Sequence, residues 1–149
     1  MKILIATDGS IYSDVAVKSV AEREWPTGSE LRVVSILEHS SLESITAGEY
    51  AFKLDEIREE VRQMIKQIAS SAADTLSRPS CSASYVVREG LVAQEILEEA
   101  KKWGADLIVV GTHSRKGLSR FLLGSVAQKV AIHANCSVEI VRKPQENAA

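Results

Sequence analysis

The sequence predicts an α/β fold, in which an open parallel sheet carries helices on both faces. Three features support this fold. Short apolar runs, typical of strands covered on both faces, alternate with amphipathic stretches along the whole chain. No repeat or linker divides the 149 residues, which is a single-domain length. The composition, 45% hydrophobic and 26% charged, is that of an ordinary globular protein.

The first half of the chain begins with a strand predicted at residues 3–6. Ser10 is placed to cap a helix that would end before Pro26 and Gly28, with an inward face of Val17, Val20, Ala21 and Trp25. The second strand is predicted at residues 31–37. From residue 39 to 52 the chain is polar, and such a long connection is typical of a mobile or functional segment such as a lid.

The second half begins with the strongest helical stripe in the chain, and we expect its members to be core residues: Leu54, Ile57, Val61, Met64, Ile65, Ile68, Ala72 and Leu76. The third strand, from residue 81 to 87, alternates in polarity as edge strands do, and the charges at Arg88 and Glu89 should end it. A helix ending at Gly104 and a strand at 107–110 follow. The last helix should end with Asn135 in the left-handed conformation, before a strand at 137–141.

Charge and composition exclude several classes of partner. A formal net charge of −2 argues against nucleic acid or an anionic membrane as the main partner. No stretch approaches the roughly 18 apolar residues of a membrane span, and the first apolar run is too short for a signal peptide, so we expect a cytoplasmic protein. Cys81 and Cys136 lack the spacing of a zinc site and are expected on strands as small hydrophobic residues.

A basic loop with several glycines lies between the fourth strand and the last helix, from Gly111 to Ser125, and it carries Arg115, Lys116 and Arg120. Unpaired N–H groups at a strand end and at a helix N-terminus bind phosphates. The common phosphate fingerprints, G-x-x-x-x-G-K-[ST] and G-x-G-x-x-G after the first strand, are absent. In open parallel sheets, ligands bind at the carboxyl ends of strands where the strand order reverses, which places Thr7, Asp8 and Gly111 at one crevice.

These segments resemble the universal stress protein family over essentially the whole chain. The resemblance rests on residues 3–10, ILIATDGS, on the alternation of five strands, and on residues 111–125, GTHSRKGLSRFLLGS. It implies the strand order 3-2-1-4-5 and a homodimer joined along the last strand, through Val138 and Ile140. It also implies, in one branch, an ATP site marked by G-x2-G-x9-G-[ST]. Here Ser114 replaces the second glycine, while nine residues still separate positions 114 and 124.

The serine at position 114 has two opposite consequences for the expected nucleotide site. If the position needs a positive φ, a serine costs on the order of 1–2 kcal/mol, whereas its hydroxyl can also donate to a phosphate or ribose oxygen. The full set of residues expected to bind the nucleotide is Ala6, Thr7, Asp8, Ile36, Gly111, Thr112, His113, Ser114, Arg115, Gly117, Gly124, Ser125 and Val126. By resemblance, backbone groups near Ile36 contact the edge of the adenine.

Several of these residues have a structural alternative. Asp8 would hold a Mg²⁺ bridge to the phosphates or meet a ligand donor, or it would simply form the Asp-Gly-Ser turn. Gly111 would admit the ribose and phosphates or form a tight turn, and Ser125 would cap the helix as well as contact phosphate. His113, as a loop residue without a visible acidic partner, is expected to be solvated, so no catalytic residue is assigned.

The sequence thus predicts one domain over residues 1–144 with a polar tail at 145–149, binding ATP or a related adenine nucleotide as a regulatory stress signal. Any catalysis would be slow hydrolysis, and the protein partner is not identified. The alternative is a nucleotide-free, dimeric interaction module of the same fold. A phosphoacceptor receiver domain fits poorly, because the third strand ends on Arg88 and Glu89 rather than on an aspartate. The implied strand order places Cys81 and Cys136 at opposite edges, which excludes a disulfide within the chain.

Overall fold

Strands and helices alternate along the chain as predicted. The computed structural model describes residues 1–38, 51–113 and 123–143. The elements are β1 (Lys2–Ala6), α1 (Ile11–Ala21), β2 (Ser29–Glu38), α2 (Ala51–Leu76), β3 (Cys81–Gly90), α3 (Val92–Trp103), β4 (Leu107–Gly111), α4 (Ser125–His133) and β5 (Ser137–Val141). Within these ranges, none of the helices has the length and apolar character needed to span a membrane. The polar connection at 39–50 and the tail predicted from residue 145 lie outside the described residues.

The five strands form one parallel sheet in the order β3-β2-β1-β4-β5, which confirms the predicted order. In the central strand, Ile3 pairs with Leu31 of β2 on one side and with Leu107 of β4 on the other. Cys81 begins the edge strand β3, and Cys136 lies one residue before β5 rather than on it. Both thiols are free, at opposite edges of the sheet.

Two apolar clusters cover the two faces of the sheet. One joins α1 and the end of α2 to Ile5 and Val33, and the other joins α3 and α4 to Leu4 and Ile108. The side chains of β1 and β4 alternate between these clusters, so both strands are buried on both faces and are apolar from Ile3 to Ala6 and from Leu107 to Val110. The ends of these two central strands are therefore held in place from both sides.

Two helix ends differ from the sequence prediction. Helix α1 ends at Ala21, and Trp25 packs on the core from the segment that follows, where its indole N–H donates to the Val20 carbonyl at 3.0 Å. Helix α4 is followed by Ala134 in an extended conformation, and positive φ values among the described residues occur only at glycines. The predicted left-handed Asn135 is therefore wrong, whereas Gly104 ends α3 with φ 73° as expected.

Strand β3 does not end at its charged residues but continues through Arg88 and Glu89 to Gly90. Helix α3 supplies the partners, because the Arg88 guanidinium donates to Glu95 at 2.7 Å and to Glu99 at 3.0 Å. The hydrogen bond to Glu95 raises the pKa of Arg88 above its ordinary value, against the opposing effect of burial. The Glu99 side chain, only 5% exposed, also accepts from Arg32 at 2.9 Å. The prediction that charge ends the strand is therefore wrong, because Arg88 is paired with carboxylates of α3.

Helix α2 is a core helix only in its last part. Ala69, Ala73 and Leu76 are buried against the sheet, whereas Ile57, Val61, Ile65 and Ile68 are half-buried and Met64 is 57% exposed. The expectation that the whole stripe is core is therefore wrong from Ile57 to Ile68, and the side chain of Leu54 lies outside the described part of the structure. Small residues at the end of the helix allow close packing on the sheet, and the larger ones before them are less buried.

Candidate ligand-binding cleft

A cleft of about 480 Å³ opens at the carboxyl ends of β1, β2 and β4. Its volume lies within the range of small-molecule sites. Its lining includes these residues from the predicted set: Ala6, Thr7, Asp8, Ile36, Gly111, Thr112, His113, Gly124, Ser125 and Val126. Ser114, Arg115 and Gly117 lie outside the described residues. The structure thus brings the end of β1 and the start of α4 to one cavity.

Buried hydroxyl groups fix the end of β1. The Thr7 N–H donates to the Val34 carbonyl at 3.0 Å, and the Ser35 hydroxyl donates to the Thr7 carbonyl at 2.8 Å. The hydroxyls of Thr7 and Ser13 lie 3.1 Å apart, which connects the strand to the first turn of α1. Each of these side chains is nearly inaccessible to solvent. The polar centre of the cleft is therefore preformed by the protein.

Beyond Thr7 the pairing of β1 with β2 stops. Within the described ranges, no backbone hydrogen bond continues this ladder past Val34. Alternate residues of a strand direct their N–H and C=O groups to the same side, so those of Ile36 point to the side that β1 has left. Ile36 also lines the cleft. A donor and an acceptor of the main chain thus face the cavity in the plane of the sheet.

Asp8 takes part in the turn that starts α1. Its Oδ1 accepts from the Ser10 N–H at 3.0 Å, and Gly9 between them has φ 71°. Ser10 caps the helix as predicted, with its side chain accepting from the Ser13 N–H at 3.3 Å. The turn-forming alternative for Asp8 is thus present, and Asp8 also lines the cleft. Among the described residues, no three acidic, histidine or cysteine side chains are grouped closely enough to hold a metal ion.

Gly111 and Gly124 allow backbone segments to approach closely. A Cβ on Gly111 would lie 2.7 Å from the Tyr12 carbonyl oxygen, and one on Gly124 would lie 2.8 Å from the Thr112 carbonyl oxygen. Gly124 has φ −59°, and neither glycine has a positive φ. Contact between protein segments therefore accounts for both glycines, a reason that the sequence pattern alone did not distinguish from ligand approach or a tight turn.

The N-terminus of α4 faces the cleft. Gly124 is its N-cap residue and has no side chain to cap this end, and Ser125 is the first helical residue rather than the predicted cap. The first N–H groups of an α-helix have no partner within the helix, and the helix dipole adds roughly half a positive charge there. Ser125 and Val126 line the cavity. This arrangement suits an anionic group.

The ring nitrogens of His113 are buried, whereas the sequence predicted a solvated side chain. Its ring lies 5.0 Å from the ring of Tyr12, at an interplanar angle of 49°. Both ring nitrogens are buried, and neither has a hydrogen-bond partner among the described residues. Leaving a buried polar group unpaired costs about 1–3 kcal/mol, so the two nitrogens have hydrogen-bonding capacity that the described residues do not use.

The sequence reasoning missed the wall that α2 provides. Val61, Met64, Ile65 and Ile68 line the cleft on the α1 and α2 side of the sheet. We refer to these four residues as the α2 wall. Their spacing puts them on one face of the helix, so periodicity identified the face correctly but not the cavity that it borders. The change from large apolar residues to Ala69, Ala72 and Ala73 along the stripe was the available signal.

Comparison with known proteins gives a consistent result. The model of the universal stress protein family matches residues 1–142. Universal stress protein MJ0531 of Methanocaldococcus jannaschii is 34% identical over 97% of this chain and 84% of its own. Universal stress protein YxiE of Bacillus subtilis is 34% identical over 95% of this chain and 98% of its own.

Solved structures share the fold. MJ0577 of Methanocaldococcus jannaschii superposes with a TM-score of 0.75 at 25% identity, covering 97% of both chains. Three further structures are complexes with cAMP, AMP and dAMP, the latter two from Arabidopsis thaliana and Archaeoglobus fulgidus. Their TM-scores are 0.59, 0.59 and 0.58 at 20%, 16% and 22% identity, and they cover 95%, 100% and 94% of this chain and 96% of their own. Sequence and fold together show that the chain belongs to the universal stress protein family.

Proposed function

We propose that the cleft binds ATP or a related adenine nucleotide, and that its occupancy is a regulatory signal in a stress response. The observation that carries this proposal is the pair of buried, unpartnered nitrogens of His113 in a cavity that also contains the N-terminus of α4. A ligand that hydrogen-bonds to these nitrogens would use capacity that the described residues leave unused, and the helix terminus favours an anionic ligand. A nucleotide has both properties.

The two ends of the cleft suit the two ends of a nucleotide. The N–H and C=O of Ile36 are available to the edge of a base, while Gly124 and Ser125 border the place for phosphates. The complexes of related folds with cAMP, AMP and dAMP support an adenine nucleotide. If Ser114 takes the place of the second motif glycine, its hydroxyl could also donate to a phosphate or ribose oxygen, as the sequence motif suggests.

Mg²⁺ fits this cleft only as a companion of the phosphates. Asp8 supplies one carboxyl group, and the described residues hold no cluster able to bind a metal ion unaided. Mg²⁺ commonly binds through one or two carboxylates together with phosphate oxygens. The ion would also neutralise the repulsion between Asp8 and a phosphate group.

Occupancy rather than turnover is the proposed signal. A general base needs an orienting partner, and His113 contacts Tyr12 but no acidic group among the described residues. Hydrolysis would therefore be slow at most. The edge strand β5, with Val138 and Ile140 half-buried, is the proposed contact of a homodimer, since an unpaired edge strand invites pairing.

The test is thermal unfolding of the purified protein with and without saturating ATP, ADP or AMP. At a nucleotide concentration of 100 Kd, binding stabilises by about 2.7 kcal/mol, which raises the melting temperature by about 5–10 °C for a chain of this size. An unchanged melting temperature, together with no nucleotide released on denaturation, favours the alternative of a nucleotide-free dimeric module.

His113→Ala is the informative variant, and His133→Ala is its matched control, since His133 is an exposed residue of α4 outside the cleft. The first substitution removes the two nitrogens proposed to bind the ligand, so the shift caused by nucleotide should fall well below that of the unmodified protein. The control should keep the full shift. Equal shifts in both variants would contradict the assigned role of His113.

A further inference from the structure

We propose that the α2 wall contacts one face of the nucleotide base and gives the cleft its preference for purine over pyrimidine nucleotides. This inference rests on the proposed function. It assigns a binding role to apolar side chains of α2 that the phosphate-loop motif does not include. The proposal follows from the direction of the Ile36 backbone groups and from the position of the wall.

The backbone groups of Ile36 set the orientation of a bound base. The N–H and C=O of Ile36, which pair with no backbone group of β1 in the described ranges, lie in the plane of the sheet, like all ladder groups of a strand. A base that hydrogen-bonds to them at its edge therefore lies close to that plane, as a continuation of the sheet beyond the end of β1. Its two faces then point to the two helical layers.

Apolar side chains border the cleft above and below the position of the base. On one side of the sheet the cleft is bordered by the α2 wall, and on the other by Val92 and Ile96 of α3. Both sides are apolar, so a flat ring system placed between them would be covered on both faces. A purine has a larger face than a pyrimidine and would remove more apolar surface from water.

The α2 wall differs from the α3 side of the cleft in how it packs against the core. Ile96 belongs to the core cluster beneath α3 and Val92 packs against it, whereas no member of the α2 wall belongs to either cluster or is packed against one. Three of the four are half-buried and Met64 is mostly exposed. These side chains therefore retain apolar surface at the cleft that a ligand can cover.

The experiment measures the affinity of AMP, CMP and ribose 5-phosphate by titration calorimetry. The variant Ile65→Ala/Ile68→Ala removes apolar contact to a base, while ribose 5-phosphate, which lacks the base, tests the polar end alone. Ile57→Ala is the matched control: Ile57 is a half-buried isoleucine on the same stripe, outside the cleft. The double variant should bind AMP about tenfold more weakly. Its preference for AMP over CMP should fall, and its affinity for ribose 5-phosphate should not change.

The outcomes separate this inference from the proposed function. If the unmodified protein binds AMP and the double variant binds it equally well, the wall does not contact the base and the inference fails alone. Equal weakening of AMP and ribose 5-phosphate would also overturn it. Failure of the unmodified protein to bind any adenine nucleotide would overturn the proposed function itself.

Met64→Ser provides a second variant whose folding is not in question, since the Met64 side chain is 57% exposed. It should weaken AMP binding about threefold while leaving ribose 5-phosphate unaffected. Unchanged AMP binding in both this variant and the double variant would show that α2 has no part in recognition.

Discussion

Substitution of Gly111 by alanine tests whether this glycine serves contact between protein segments. The added methyl group would lie 2.7 Å from the oxygen and 2.8 Å from the carbon of the Tyr12 carbonyl, closer than unstrained atoms approach. Both atoms belong to the backbone, so no side-chain rotation relieves the contact and the start of α1 must move. Such overpacking costs about 1–3 kcal/mol of the free energy of unfolding.

The expected result of Gly111→Ala is a melting temperature lower by about 2–12 °C, at about 2–4 °C per kcal/mol for a chain of this size. Differential scanning calorimetry measures this directly. Because Tyr12 also packs against His113, the displacement should weaken nucleotide binding as well. A variant that melts and binds like the unmodified protein would refute the assignment.

Gly104 provides the matched control, because there the constraint is conformational. It has φ 73°, and a Cβ would meet nothing within 4 Å. Alanine at this position should cost about 1–2 kcal/mol from the left-handed conformation, and asparagine should cost less, since it tolerates that conformation. At Gly111 the order should be reversed, with asparagine worse than alanine because its side chain is larger. The same order at both positions would contradict the distinction.

Three further predictions concern groups outside the cleft. Glu99→Gln should destabilise the fold by about 3 kcal/mol, because it removes the buried charge between two arginines; the exposed neighbour Glu98→Gln should have little effect in the same melting experiment. Glu139 has its pKa lowered by the hydrogen bond from Arg23, so the pair stabilises the fold above the ordinary carboxyl pKa and loses that effect as the pH falls through the lowered one. The difference in stability between the unmodified protein and Glu139→Gln, under about 1 kcal/mol for this partly exposed pair, should therefore shrink in acid, and a difference that grows would contradict the assignment. Ser10→Ala should cost about 1 kcal/mol through loss of the α1 cap, which an unchanged denaturant midpoint would exclude.

The sheet was predictable because its central strands are apolar on both faces and because the family resemblance supplied the strand order. The position of the cleft followed from the same two facts, since the carboxyl ends of β1 and β4 meet in that order. Local signals with one physical meaning, such as the Ser10 cap and the Gly104 exit, were also predicted correctly.

The errors arose where a residue pattern has more than one physical cause. Periodicity shows which face of α2 is apolar, but only the length of the strands decides where that face contacts the sheet and where it borders a cavity. Charge at Arg88 suggested a strand end because its partner Glu99 is distant in sequence. A glycine such as Gly111 is favoured by a turn, a ligand or a neighbouring backbone, and coordinates were needed to choose among them.

The pairing of β1 with β4 also determines when the cleft exists. The amide of Lys2 donates to the Asp106 carboxylate at 2.7 Å across 104 residues of sequence, so the two central strands meet only after most of the chain has been synthesised. Contacts between residues so far apart in sequence slow folding, because the long segment between them must be brought together before they form. An amino-terminal fragment that stops short of β4 has no cleft to offer. The cleft is thus a property of the completely folded chain.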